Sequence, residues 1–264
     1  MLGAIIGDIV GSRFEFDEKP TEVFELFTAN CNYTDDTICT VAIADAILNH
    51  RDYREALIDW CRRYPNPKGG YGGMFRQWVF SQNPLPQSSY GNGSAMRVSA
   101  VGWLFNDYQE VLSQAKQSAE VSHCHSEGVK GAQCVAALIY WLRTVRLIKD
   151  DVENAVRKNF GYELPPLRDI MKIGAEGHFD STCQETVPYA VRCFLDAESF
   201  EQTLRNAVMA QGDTDTKAAI ACSIAEATYE IPDDIVDRAF DYLPLDMVTI
   251  IEQFYNQLWN DVTA

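Results

Sequence analysis

Apolar residues recur at helical intervals along most of this chain. Val41, Ala44 and Ala46-Ile47-Leu48 form one such stripe. Others run from Gly131 to Leu147, Val187 to Leu195, Phe200 to Met209, Ala218 to Ala227 and Met247 to Trp259. Strand-like alternation bounded by hairpin signals is almost absent, so the pattern predicts an all-α fold. The connections Tyr64 to Gly73 and Asn83 to Ser94 are rich in Gly, Pro, Asn and Ser. They are longer than a helix hairpin requires, and long ordered loops often carry function. No low-complexity tail or linker divides the chain, so one domain over residues 1–264 is expected.

Composition narrows the classes. A hydrophobic fraction of 47% is enough to bury a large core. The longest apolar run, Val135 to Leu142, is far shorter than the roughly 20 residues that span a bilayer. The N-terminus lacks a basic n-region and a small-residue cleavage site, so no secretory signal is expected. Eight cysteines occur without a C-x-x-C pair, and most sit inside apolar helical patterns. A reducing cytoplasm fits best. A formal charge of −16 opposes approach to nucleic acid or anionic membranes. No stable nucleic-acid binding is therefore expected, and a phosphate-bearing ligand needs a local cation.

Two short segments, Thr34-Asp35-Asp36-Thr37 and Asp213-Thr214-Asp215-Thr216, each precede an alanine-rich apolar helix. Threonine and aspartate there act as N-caps and complement the helix dipole. A cap needs one side chain, however, and each segment supplies two carboxylates and two hydroxyls. The small residues that follow would let the helices approach and bring the two N-termini together. Converging carboxylates repel, and burial would force protons onto some of them. A divalent cation removes the conflict, and oxygen-only ligands suit magnesium, or manganese, rather than zinc.

Other motifs are weaker alone. Gly91 and Gly93 let backbone amides approach phosphate, although Asn-Gly is also a common turn. Arg97 either supplies charge to a phosphate or pairs with an acid. His123-Cys124-His125 invites a zinc reading, but no second ligand half follows, and Ser126-Glu127 suits a helix start. Tyr71, Phe75, Trp78, Phe80 and Trp103 either line a nucleobase pocket or fill the core. Neither G-x-S-x-G nor a Walker A pattern occurs.

Taken in order, Gly7-Asp8-Ile9-Val10-Gly11-Ser12, Glu15, Tyr33 to Thr37, Gly91 to Arg97, Ser122-His123 and Gly212 to Thr216 resemble the ADP-ribosylglycohydrolase family, which includes the dinitrogenase reductase-activating glycohydrolase. The segments Gly70 to Arg76 and Phe179 to Pro188 are similar to a short bacterial branch of it. The resemblance implies a compact orthogonal multi-helix fold with two magnesium ions. It implies that Thr34, Asp35 and Asp36 ligate one ion and Glu15 and Asp213 the other, with Asp215 and Thr216 completing or bridging the pair. It further implies that Gly91, Asn92, Gly93, Ser94, Ala95 and Met96 contact the diphosphate and distal ribose. His123 would contact the ligand, and His178 would stand where relatives often carry a tyrosine against adenine, with Phe179 as the alternative. Three departures stand out. Gln211 replaces a common glycine, Ile38-Cys39 replaces a polar-Met pair, and the loop Lys68 to Phe75 carries none of the acid some relatives use there.

The reading that follows is a magnesium-dependent hydrolase acting on the bond between ADP-ribose and a protein side chain, a nucleic acid or a small acceptor. Asp35 or Asp36 would orient or deprotonate the attacking water, and Glu15 would handle the leaving group. The alternatives are a protein that binds metal and ADP-ribose without chemistry, and a hydrolase of another ribosyl metabolite.

Overall fold

The computed structural model describes residues 1–263, with side chains through residue 260. Among them run fifteen α-helices: α1 (Leu2–Gly11), α2 (Asp35–Leu48), α3 (Tyr53–Arg63), α4 (Gly73–Phe80), α5 (Gly93–Met96), α6 (Ser99–Leu104), α7 (Tyr108–Glu120) and α8 (Ser126–Tyr140), then α9 (Lys149–Phe160), α10 (Leu167–Ala175), α11 (Cys183–Leu195), α12 (Phe200–Met209), α13 (Thr214–Ala225), α14 (Asp233–Phe240) and α15 (Leu245–Thr263). A π-helical turn, Trp141–Val145, closes α8. The fold is all-α, and its one β-bridge among the described residues joins Gly91 to Thr182. No helix among them is long and apolar enough to cross a membrane.

Polar side chains start several of the helices. Thr34 accepts from the Asp36 N–H, Asp52 from those of Arg54 and Glu55, and Ser199 from that of Gln202. His125 caps α8 by accepting from the Glu127 N–H, so the start expected at Ser126 is the one found.

Every residue of α1 and α13 is buried, as a helix apolar on all sides requires. The two run antiparallel at the centre, with α2, α11, α12 and α14 packed around them. Gly3, Gly7 and Gly11 recur every fourth residue and form a flat ridge on α1. A Cβ added at Gly3 or Gly7 would press on the carbonyls of Cys222 or Ala218, and one at Gly11 would lie 2.6 Å from the Asp215 Cα. The reason expected for the approach of the acidic N-termini is therefore changed. The alanine-rich α2 and α13 touch little along their length; both lean on α1, which lies between them. Its C-terminal end meets the first turns of both helices.

Candidate functional site

Asp8, on the last turns of α1, is fully buried. Its carboxylate accepts from the Thr34 N–H at 2.9 Å, the Thr34 hydroxyl at 2.7 Å, the Thr37 N–H at 3.0 Å and the Thr37 hydroxyl. Those bonds fix the first turn of α2. Burial still pushes the carboxyl up to about 6, against the pull of these donors.

The second cluster is built differently. Asp213 is the N-cap residue of α13 and makes no capping bond. It accepts instead from Asn92 Nδ2 at 2.7 Å, and the same amide donates to Thr186 Oγ1 at 3.0 Å. Gln211 and Gly212, just before it, have left-handed φ of 52° and 71°. A side chain at position 211 is therefore strained, and glycine would fit that conformation better. Lys217 holds the turn by donating to the Gln211 carbonyl.

The two N-termini meet where the Thr216 hydroxyl donates to Asp36 Oδ1 at 3.3 Å. The loop after α1 adds Glu15, and carboxylate oxygens of Glu15, Asp213 and Asp215 lie within 4.8 Å of one another. Asp36 Oδ2 and Asp215 Oδ1 are buried and have no protein partner. Leaving one such acceptor unsatisfied costs about 1–3 kcal/mol, more if it is charged. Burial and the charges of Asp213, Asp35 and Asp8 push Glu15 up to about 8, and burial with Asp8 does the same for Asp35. Burial lifts Asp36 and Asp215 well above the carboxylate range, with neighbouring acids adding to it. Two caps would need none of this. Acceptor-only oxygens, two of them orphaned and dry, fit a hard divalent cation such as magnesium.

These acids floor a cleft of about 500 Å³. Gly91, Asn92, Gly93, Met96, Arg97 and His123 form one wall, and the stretch Gly69 to Phe75 the other. Two amides of the glycine-rich loop are engaged within the protein: that of Gly91 with Ser89 Oγ at 3.2 Å, and that of Asn92 with the Ser181 carbonyl at 2.8 Å. Space at Gly93 is tight, since a Cβ there would lie 3.0 Å from His123 Nε2.

Not every expected residue faces the cleft. Thr34 is turned to Asp8 and its helix cap, Ser94 donates to the Gly128 carbonyl at 2.7 Å, and Ala95 is buried behind it. His178 is exposed and holds Glu185 at 2.8 Å. Phe179 stands at the rim instead, stacked on Phe16 with ring centroids 5.9 Å apart. Phe16 is 68% and Phe179 46% exposed, unusual for phenylalanine outside a binding surface. Of the aromatic candidates, Tyr71 and Phe75 line the cleft and Trp78 is core, while Phe80 sits under Arg76 and Trp103 near Arg143. Sequence reasoning quoted Asp8 only within the Gly7 to Ser12 motif and gave it no role, and it did not single out Phe16 or the rim residue Tyr90. Only Asp8 left a trace, as an acid inside an apolar helix. A cleft of about 580 Å³ at the C-terminal end of α2, beside His50, Arg51 and Gln114, holds no orphaned carboxylate.

Comparison with known proteins bears on the family and the fold. A family model described as ADP-ribosylglycohydrolase matches residues 1–262. ADP-ribosylhydrolase ARH3 of Homo sapiens is 26% identical over 306 residues, covering 87% of this chain and 84% of its own. The Gallus gallus protein of that name is 27% identical over 311 residues, with 87% and 84% covered. A solved structure titled ADP-ribosylglycohydrolase-related protein complex superposes with a TM-score of 0.71 at 22% identity, covering 97% of this chain and 95% of that one. At that identity the likeness is one of fold.

Proposed function

The chain belongs to the ADP-ribosylglycohydrolase family, and on that premise we propose that it is a magnesium-dependent hydrolase cleaving the glycosidic bond between ADP-ribose and an acceptor. The observation that carries this reading is the junction of two helix N-termini from distant parts of the sequence, where Asp36 and Asp215 keep buried oxygens without partners. Glu15 and Asp213 would hold one ion and Asp35 and Asp36 the other, with Asp215 and Thr216 completing or bridging the pair; Thr34, engaged with Asp8, would only support them. When bound, magnesium or manganese supplies Lewis acidity and a two-point grip on vicinal ribose hydroxyls.

The reaction adds water across one bond. The water oxygen joins the anomeric carbon, the bond from that carbon to the acceptor nitrogen or oxygen breaks, and a water proton ends on the acceptor. Asp35 or Asp36 orients the water or takes its proton at a carboxylate oxygen. Glu15, half-buried beside Gly69, serves the leaving atom. The Gly91–Gly93 wall and the Phe16–Phe179 rim bind the ADP-ribosyl portion, and holding it beside the acids is worth as much as the proton transfers.

The test is a mass-spectrometric screen of ADP-ribosylated arginine, serine and nucleobase substrates with magnesium. Release of ADP-ribose from at least one is expected, lost with chelator and reduced about 10²-fold or more in Asp36→Asn. Wild-type turnover by Asp36→Asn at saturating magnesium would remove the water-activating role. Binding of ADP-ribose with no release from any substrate would make the protein a reader rather than an enzyme.

A further inference from the structure

Arg97 is fully buried, yet no carboxylate bonds to it. Its Nη2 donates to the Ser118 carbonyl at 2.9 Å and to Ser122 Oγ at 2.8 Å, and its guanidinium carbon lies 5.5 Å from the Phe75 ring centroid. Ser122 Oγ is in turn 2.8 Å from His123 Nδ1. On the far side of the same ring, His123 Nε2 faces Gly91 and Gly93 across the cleft wall.

Counting protons settles the direction of this chain of bonds. A guanidinium only donates, so Ser122 Oγ accepts from Arg97 and must send its own hydrogen elsewhere. Ser122 is buried, and His123 Nδ1 is the remaining neighbour with a lone pair. Were Nδ1 protonated instead, the serine hydrogen would be left dry and unpaired, at a cost of about 1–3 kcal/mol. The bond made at one imidazole nitrogen decides what the other carries.

We propose that Arg97 and Ser122 are positioning residues that lock His123 as the Nε2–H tautomer, so that its ring is a fixed hydrogen-bond donor to an acceptor oxygen of a ligand lying along Gly91–Gly93. The inference rests on reading the cleft as the ADP-ribosyl site. It assigns the donor to an anionic or hydroxyl oxygen and not to a ligand N–H. Burial, then the nearby Arg97 charge, holds His123 well below the usual imidazole range, which agrees with a neutral ring.

The chain has four histidines, so its ring nitrogens are resolvable by ¹⁵N NMR on histidine-labelled full-length protein, with the His123 signals identified by their loss in His123→Gln. The wild type is expected to show His123 as a single neutral species at pH 7 with the proton on Nε2. Ser122→Ala is expected to turn this into a mixture of tautomers and to weaken ADP-ribose about 10-fold, as the loss of one aligned hydrogen bond does. Ser122→Thr, which keeps the hydroxyl, should restore both. A wild-type ring protonated on Nδ1, an imidazolium at pH 7, or an unchanged ring spectrum in Ser122→Ala would each overturn the relay. If Ser122→Ala does not fold, the wild-type spectrum alone decides. Failure of the wild type to bind ADP-ribose would instead overturn the functional reading, leaving the tautomer measurement to judge the relay.

Discussion

A buried carboxyl without a cation keeps its proton, and this sets how the cation-free protein responds to pH. Glu15 and Asp35 are raised to about 8 and Asp8 to about 6, from ordinary values of 4.5, 3.8 and 3.8. An acid whose pKa is raised by folding contributes stability that is fully present below its unfolded value and lost as pH rises through its folded one. In chelator, Tm should therefore fall between pH 5 and 8.5, and saturating magnesium should flatten the fall; a flat profile in chelator would mean these acids are solvated. The rim gives a second prediction. An aromatic contact is worth about 0.5–1.5 kcal/mol, so Phe16→Ala should raise KM about 2- to 10-fold and leave kcat nearly unchanged in steady-state kinetics. Asp35, Asp36, Asp213 and Asp215 were legible because two carboxylates in four residues exceed what a cap needs, and Glu15 only through the family resemblance. The role of Asp8 was not, since its partners Thr34 and Thr37 lie 26 and 29 residues away. Phe16 and Tyr90 sit in loops, where no periodicity marks an aromatic as exposed.

Helix starts were readable wherever the cap was local. The partners of helices were not, because packing is decided by which ridges fit together in space. Alanine in α2 and α13 suggested that those two helices approach each other directly, whereas the glycines of α1 make the closest contact. Gly11→Ala tests the point at its most sensitive place, since the new methyl would lie 2.6 Å from the Asp215 Cα. Overpacking of this kind costs about 1–3 kcal/mol. The variant should lose several degrees of Tm by calorimetry and bind magnesium more weakly, because the residue displaced bears a ligand. Unchanged magnesium affinity would show that the ridge supports the fold without setting the site.

Across the whole molecule, the class of fold was visible in hydrophobic spacing, while the cleft itself was not, being lined by segments from seven parts of the chain. A cation held at its floor would join α1, α2 and α13. At 100 times its dissociation constant, magnesium should stabilise the protein by about 2.7 kcal/mol and raise Tm by about 5–10 °C over the chelated form in scanning fluorimetry. No shift would mean that the helices stand without ions. The pairing of α1 with α13 also bears on how the polypeptide is made. The first helix leaves the ribosome with its glycine face bare and must wait for most of translation before its mate is synthesised. The nascent chain is thus unable to assemble its acidic centre until α13 emerges, and a ribosome stalled before residue 213 would carry a product with that centre incomplete and the glycine face of α1 uncovered.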